Sequence, residues 1–133
     1  MKNNKNKVVV TGGAGFIGSH LTDALIKKGY EAHVVDNLFA GKRENVNTGA
    51  VFHKADIRDF ESIAPIFQDA IYVFHVAALP RVVPSIEDPR TTHDVNVTGT
   101  LNVLVAARDA GVKRVIYSAS SSAYGDHETL PLH

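Results

Sequence analysis

The sequence lacks cysteine throughout its 133 residues, which excludes a disulfide framework and a thiol nucleophile. Any zinc site would have to rely on histidine and carboxylate ligands alone. The seven histidines are scattered, and none shows a metal-ligand spacing such as H-E-x-x-H. We therefore expect no metal site and interpret the histidines singly, as surface or packing residues.

An excess of one charge, an apolar signal region and a membrane-length apolar run are also missing. Fourteen basic side chains balance fourteen acidic ones, so neither nucleic acid nor an acidic membrane surface is an expected partner. We expect a soluble, cytoplasmic protein. The length predicts one domain, residues 7–133, preceded by a flexible basic tail at residues 1–6.

The β-branched run Val8–Val10 breaks into glycines and then resumes with helical periodicity. This pattern predicts a strand, a tight turn and a helix that begins near Gly15. Gly12 and Gly15 lack a Cβ, so the backbone can approach a diphosphate closely, and the helix start directs N–H groups and a positive dipole toward it. Gly18 allows tight packing of helix against strand. The stretch predicts a dinucleotide site.

The context of the glycines supports this interpretation over a merely structural glycine turn. Asp36 follows the next apolar run, 18 positions after Gly18, near the spacing at which a carboxylate binds the adenosine ribose hydroxyls. A carboxylate there also favours NAD over NADP, although Lys42 and Arg43 follow in the same loop. No Lys-Ser or Lys-Thr pair follows the glycines, which argues against a triphosphate-binding P-loop.

Strand and helix patterns alternate along the rest of the chain. Later strands are predicted to end at Asp36 and to cover residues 50–57, 71–78 and 112–119, with helical segments at 60–67 and 91–110 and loops at 37–45 and 79–88. The alternation predicts an α/β fold, a Rossmann-type doubly wound parallel sheet of order 3-2-1-4-5, truncated after the fifth strand.

The predicted helix at 91–110 has little polar surface, which indicates that it buries two faces. Asn96 lies within it, and a buried amide needs hydrogen-bond partners. Two roles stay open for Asn96 at this point: bridging backbone groups and contacting a cofactor.

Six motifs in order carry a resemblance to a known family. They are Thr11-Gly-Gly-Ala-Gly-Phe-Ile-Gly18, Asp36-Asn-Leu38, Asp56-Ile57, His75-Val-Ala-Ala78, Asn96-Val-Thr-Gly-Thr100 and Ser118-Ala-Ser-Ser-Ser-Ala-Tyr-Gly125. In these motifs the chain resembles the extended short-chain dehydrogenase/reductase family from Lys7 onward, and within it the nucleotide-sugar 4-epimerases.

The resemblance implies NAD as the cofactor and a UDP-sugar as the substrate of the full-length protein. It implies that Ser120, with Ser122 close by, hydrogen-bonds the sugar 4-oxygen during hydride transfer. The cofactor contacts that it implies are Gly12, Gly15, Phe16, Ile17, Asp36, Asn37, Asp56, Ile57, Ala77, Ala78, Asn96 and Ser118.

The family's general base, the Tyr of a Tyr-x-x-x-Lys pair, has no counterpart in this sequence. Tyr124 is followed by His127 and Glu128 three and four positions later, so we do not assign it as the base. We expect the NAD-binding portion of a 4-epimerase that is inactive as this chain and forms a homodimer through the helix at 91–110. The alternatives are a non-catalytic NAD-binding or sensing module and another sugar-nucleotide dehydratase or reductase of the family.

Overall fold

Five parallel strands form one sheet in the computed structural model, which describes residues 6–125. The strands are β1 (Lys7–Thr11), β2 (Glu31–Asp36), β3 (Val51–Lys54), β4 (Tyr72–His75) and β5 (Arg114–Tyr117). Their order is β3-β2-β1-β4-β5, as predicted. The order reverses between β1 and β4, the switch point at which such sheets bind ligands. Residues 1–5 of the predicted tail, and His127 and Glu128, lie outside the described residues.

Helices connect the strands and lie on both faces of the sheet. They are α1 (Phe16–Lys27), α2 (Phe60–Ile63), α3 (Val82–Glu87), α4 (Pro89–His93) and α5 (Gly99–Asp109). Short 3-10 segments cover Arg43–Asn45, Ala64–Phe67 and Ser121–Tyr124, and a π-helical turn, Asp94–Thr98, joins α4 to α5. None of the helices within residues 6–125 is long and apolar enough for a membrane crossing.

The strand residues supply a separate apolar core on each face of the sheet. Val9, Val35 and Val73 pack with Val103 of α5 and with Phe67, and all five are almost fully buried. On the other face Val8, Val10 and Ala32 pack with Leu25 of α1. The central strands are therefore apolar on both faces because helices cover both faces.

The loop predicted at 79–88 contains a helix, α3, which corrects that prediction. Pro84 is the third residue of α3, within the first turn, where backbone N–H groups have no acceptor inside the helix. A proline at this position therefore removes no intrahelical hydrogen bond. The two prolines indicated a loop, but a proline before a helix or within its first turn does not prevent the helix from forming.

The helix predicted at 91–110 begins earlier and is not a uniform α-helix. Asp88 caps it, accepting a hydrogen bond of 3.1 Å from the Thr91 N–H, with Pro89 as the first residue of α4. The π-helical turn then separates α4 from α5. Gly111, with φ of +68°, follows the end of α5, as its predicted role in stopping the helix requires.

The last three strands are shorter than the apolar runs that predicted them. The chain leaves the sheet early at the carboxyl edge because side chains there bind the backbone that follows. The Asp56 carboxylate accepts the Arg58 N–H at 2.9 Å after β3, and the Asn96 amide binds the Leu79 backbone after β4. The segments that leave the sheet after β3 and β4 line the candidate site.

Candidate cofactor-binding site

A groove of about 470 Å³ lies at the carboxyl edge of the sheet, bordered by the glycine turn and by the loops after β2, β3 and β4. It includes ten of the twelve predicted cofactor contacts: Gly12, Gly15, Phe16, Ile17, Asp36, Asn37, Asp56, Ile57, Ala77 and Ala78. Asn96 and Ser118 are not among its lining residues. The structure therefore brings together residues that are up to 66 positions apart in the chain.

The N-terminus of α1 faces this groove, and no side chain of α1 neutralises its positive dipole end. Gly15 is the N-cap, no side chain of the described residues caps the helix, and its first turn contains no acidic residue. Phe16 and Ile17 line the groove and are 80% and 65% exposed. The first N–H groups of α1 and its positive dipole end are thus available to an anion such as a diphosphate.

Two glycines of the turn are required by the packing of the protein itself. Gly12 has φ of +74°, and a Cβ there would lie 2.8 Å from the Cα and backbone N of Ala77. A Cβ on Gly18 would collide with the Gly12 carbonyl and with the Cα of Gly13. The glycines therefore bring β1, α1 and the loop after β4 close together beneath the groove.

Asp36 fastens the glycine turn to the loop after β2. One carboxylate oxygen accepts the Ala14 N–H at 2.9 Å, and the other accepts the Leu38 N–H at 2.8 Å. Each oxygen keeps capacity for one further hydrogen bond. The carboxylate is half-buried at the groove, which is the placement that contact with ribose hydroxyls requires.

The two basic residues of this loop have other partners in the structure. Lys42 lies 3.8 Å from the Glu44 carboxylate, and the Arg43 guanidinium stands 4.5 Å from the centre of the Phe52 ring. Neither residue lines the groove. Among residues 36–45, Asp36 is therefore the one charged residue that lines the groove.

Asp56 links the loop after β3 to the loop after β2. It accepts two hydrogen bonds from the Arg58 guanidinium, at 3.0 and 2.7 Å, and one from the Asn37 amide at 2.9 Å. The Arg58 hydrogen bonds hold the pKa of the Asp56 carboxyl well below its usual range. Both carboxylate oxygens are occupied, so Asp56 fixes this end of the groove in addition to lining it.

Asn96 bridges backbone groups, one of the two roles that the sequence left open. Its side-chain oxygen accepts the Leu79 N–H at 2.8 Å, and its amide donates to the Leu79 carbonyl at 3.1 Å. The π-helical turn carries Asn96 to this position. Asn96 therefore holds the loop after β4, and its predicted contact with the cofactor stays a prediction.

The serines predicted for catalysis lie on β5's exposed extension and not in the groove. Ser120 Oγ accepts the Ser122 N–H at 3.1 Å and so caps the 3-10 segment that follows. This bond leaves the Ser120 hydroxyl hydrogen for another acceptor. The Ser118 N–H donates to the His75 carbonyl at 3.2 Å, continuing the β4–β5 pairing.

Some groove residues have no counterpart in the motifs from which the sites were predicted. These are Val35, Phe39, Ala40, Gly41, Arg58, Leu79, Pro80, Thr91 and Val95. Gly41 could have been found from the sequence, because a glycine in a polar loop often marks a close approach of the backbone to another segment. Its missing Cβ allows contact with Ala14. Thr91 and Val95 belong to α4 and the π-helical turn, whose approach to the groove depends on helix packing.

Comparisons with known proteins assign this architecture to a family. The profile of the NAD dependent epimerase/dehydratase family matches residues 8–133. A UDP-glucose 4-epimerase of Klebsiella pneumoniae is 40% identical over 134 residues, which cover 94% of this chain and 96% of that relative. A UDP-glucose 4-epimerase of Streptomyces lividans is 39% identical over 129 residues, but this chain spans only 39% of its length.

Solved structures agree in fold. Thermotoga maritima UDP-glucose 4-epimerase, crystallised with UDP-glucose, has a TM-score of 0.89 and 42% identity over 93% of this chain and 41% of its own. Thermus thermophilus UDP-glucose 4-epimerase, in complex with NAD, has a TM-score of 0.78 and 46% identity over 82% of this chain and 36% of its own. The predictions of a Rossmann-type fold and of an NAD-dependent family are confirmed. The chain belongs to the NAD dependent epimerase/dehydratase family and covers only the N-terminal part of its longer relatives.

Proposed function

We propose that this chain binds NAD and forms the cofactor-binding portion of a UDP-sugar 4-epimerase. The observation that carries the proposal is the groove, where the uncapped N-terminus of α1, the Asp36 carboxylate and Asp56 with Asn37 line one continuous surface. These groups match the three chemical parts of the adenosine diphosphate half of NAD. A diphosphate meets N–H donors, a ribose meets a carboxylate, and an adenine meets the polar edge at Asp56.

The residues of this chain bind and orient, and NAD when bound supplies the hydride acceptor. Phe16 and Ile17 cover the diphosphate region with exposed apolar side chains, while Asp36 accepts ribose hydrogen bonds and fixes the adenosine end. The loop after β4, held by Asn96, borders the opposite end of the groove. A bound dinucleotide would therefore point its reactive end toward β4 and β5.

Calorimetric titration of the purified chain with NAD tests this proposal. Ile17→Glu places a negative charge beside the diphosphate position, and we expect it to weaken NAD binding at least about tenfold. Ala24→Glu is the matched control, because it makes the same charge change at an exposed position of α1 outside the groove. Absence of NAD binding by the wild-type chain, or equal losses in both variants, would contradict the proposal.

We further propose that the chain alone does not epimerise UDP-sugars. The Tyr-x-x-x-Lys pair is absent from the sequence, and loss of a general base costs roughly 10²–10⁴-fold in rate. Separation of product sugars after incubation with NAD and UDP-glucose or UDP-N-acetylglucosamine checks this expectation. NAD binding without turnover also fits the alternative of a sensing module. Restored turnover when residues 1–133 replace the matching part of a full-length relative would favour the epimerase.

A homodimer through the helix at 89–109 is the proposed assembly. Val97, Leu101 and Leu104 form an apolar stripe along one side of this helix and are 54%, 58% and 46% exposed. We expect the chain to elute larger than a monomer and Leu101→Lys to shift it toward the monomer. Ala24→Lys is not expected to do so, because it adds the same charge at an exposed position of α1, away from this helix. A monomeric wild-type chain would contradict this proposal.

A further inference from the structure

A chain of hydrogen bonds crosses the interior beneath the groove and has no place in the proposed chemistry. Thr11 Oγ1 lies 3.4 Å from the Ala77 backbone N and 2.6 Å from Nδ1 of His75. On the other side of the ring, Nε2 lies 2.9 Å from Thr100 Oγ1, which lies 2.7 Å from the Asn96 carbonyl oxygen. His75 is only 1% exposed.

The position of each proton follows from the two ends of this chain. The Asn96 carbonyl can only accept, so the Thr100 hydroxyl donates to it and the Thr100 oxygen accepts from Nε2–H of His75. Nδ1 of the neutral ring then carries a lone pair and accepts the Thr11 hydroxyl hydrogen. The Thr11 oxygen is left to accept the Ala77 N–H. Only the neutral Nε2–H tautomer satisfies every group at once.

Each end of the hydrogen-bonded chain lies next to residues that line the groove. Thr11 immediately precedes Gly12, whose backbone packs against Ala77, and Thr100 follows the π-helical turn whose Asn96 binds Leu79. Gly12, Ala77 and Leu79 line the groove, whereas Thr11, His75, Thr100 and Asn96 do not. The imidazole therefore spans the distance between the glycine turn and the elements that hold the loop after β4.

We propose that His75 is a positioning residue, held as the neutral Nε2–H tautomer, that fixes the glycine turn relative to the loop after β4 and so sets the width of the NAD groove. The inference depends on the proposed function for the identity of the ligand. A single proton added at Nδ1 would remove the acceptor of the Thr11 hydroxyl, which loosens the turn at Gly12.

The surroundings of His75 keep the ring neutral. Thr11 of β1 and Thr100 of α5 bind its two nitrogens, and Tyr117 of β5 stacks on it with ring centres 5.6 Å apart. Burial lowers the pKa of His75 to about 4, and no carboxylate or cation of residues 6–125 contributes to that shift. Tyr117 is the one titratable side chain among these three contacts.

Nitrogen-detected NMR of histidine-labelled protein tests the tautomer without any ligand. We expect the His75 ring to be neutral at pH 5.5, with its proton on Nε2. A proton on Nδ1, or a charged ring at that pH, would overturn the proposal.

Thr100→Val tests the coupling to NAD, since it removes the acceptor of Nε2–H at a position that does not line the groove. We expect NAD binding to weaken about tenfold, the equivalent of one net hydrogen bond. Thr92→Val is the control, because Thr92 is also half-buried, does not line the groove, and its hydroxyl donates to the carbonyl four residues earlier, that of Asp88, as Thr100 does to Asn96. Equal effects of the two variants on NAD affinity would overturn the proposal.

A wild-type chain that binds no NAD would refute the proposed function. The positioning role of His75 would then be tested by backbone amide NMR signals recorded without NAD. Thr100→Val should then shift the signals of Gly12 and Ala77, at the far end of the hydrogen-bonded chain, and Thr92→Val should leave both signals in place. Shifts confined to the neighbours of Thr100 would show that His75 does not couple the two sides.

Discussion

β1 and β5 belong to the same parallel sheet and are separated only by β4, yet their surroundings differ. All five residues of β1 are buried between α1 and α5, whereas three of the four residues of β5 are exposed. The difference continues into the loops that follow them. The glycine turn after β1 is held by Asp36 and Ala77, while Ser118, Ser120 and Ser122 after β5 are exposed.

This contrast matches the proposed division of the chain into a cofactor groove and a segment that contains the predicted catalytic serines. The groove is built by elements that pack on each other, and none of its lining residues belongs to β5 or to the segment after it. The predicted catalytic serines lie at the sheet edge and contribute little to the packed interior. Substitutions around β1 should therefore change stability and NAD affinity, and substitutions after β5 should change neither.

The largest effect is expected at Gly18. In Gly18→Ala the added Cβ meets backbone atoms of Gly12 and Gly13, which cannot move without opening the turn, so we expect a loss of about 1–3 kcal/mol in the free energy of unfolding. Urea denaturation measures it. In Gly15→Ala the Cβ meets only the Gly12 carbonyl, at 3.3 Å, so stability should fall by only a few tenths of a kcal/mol. Equal losses would show that the turn is not closely packed.

The second-largest effect is a loss of stability in acid. It arises at His75 of β4, the strand between β1 and β5. The unfolded chain takes up a proton near pH 6.5, but the folded chain does so only near pH 4, so stability is lost as the pH falls between these values. The slope approaches about 1.4 kcal/mol per pH unit for this group. His53, whose pKa is also lowered by burial, adds to the loss in the same direction.

Urea denaturation at pH 7 and pH 5 measures this loss, and His75→Asn should reduce it because asparagine does not titrate in that range. A wild-type chain that is equally stable at both values would contradict the burial of a neutral histidine.

Discrimination between cofactors tests the β1 region more finely. The Asp36 carboxylate repels a 2′-phosphate and accepts ribose hydroxyls, so we expect NAD to bind at least about tenfold more tightly than NADP. Asp36→Asn should narrow that ratio, whereas Lys42→Ala should not, because Lys42 lies outside the groove near Glu44. Parallel titrations with the two cofactors give the ratios. NADP binding equal to or tighter than NAD binding would refute the role of Asp36.

The smallest effect is expected at Ser120. Its oxygen accepts one exposed backbone N–H, so Ser120→Ala should change stability by less than about 0.5 kcal/mol and leave NAD affinity unchanged. Grafted into a full-length relative, the same substitution should slow hydride transfer, because the proposed hydrogen bond to the sugar oxygen is lost. A collapse of NAD affinity in the isolated chain would instead make Ser120 a cofactor ligand.

Local patterns predicted the sheet order, the glycine turn and Asp36, and the family resemblance implied the other cofactor contacts; ten of the twelve contacts line the groove. Parallel sheets of this kind have a typical sequence pattern. It consists of apolar strands, spaced glycines and carboxylates at the ends of strands such as β2 and β3. The π-helical turn, the helix α3 and the hydrogen bonds of His75 were not predicted. They depend on how the segment after β4 packs against α5, and Thr11 and His75 are 64 positions apart. Sequence spacing carries no signal for such a contact.

Amide NMR signals recorded during addition of NAD to the 133-residue chain test most directly the claim that NAD binds in the groove and not on the segment after β5. The account predicts shifts at Gly12, Gly15, Ile17, Asp36 and Ala77, and unchanged signals at Ser122 and Tyr124. Shifts confined to the segment after β5, or no shifts at all, would contradict it.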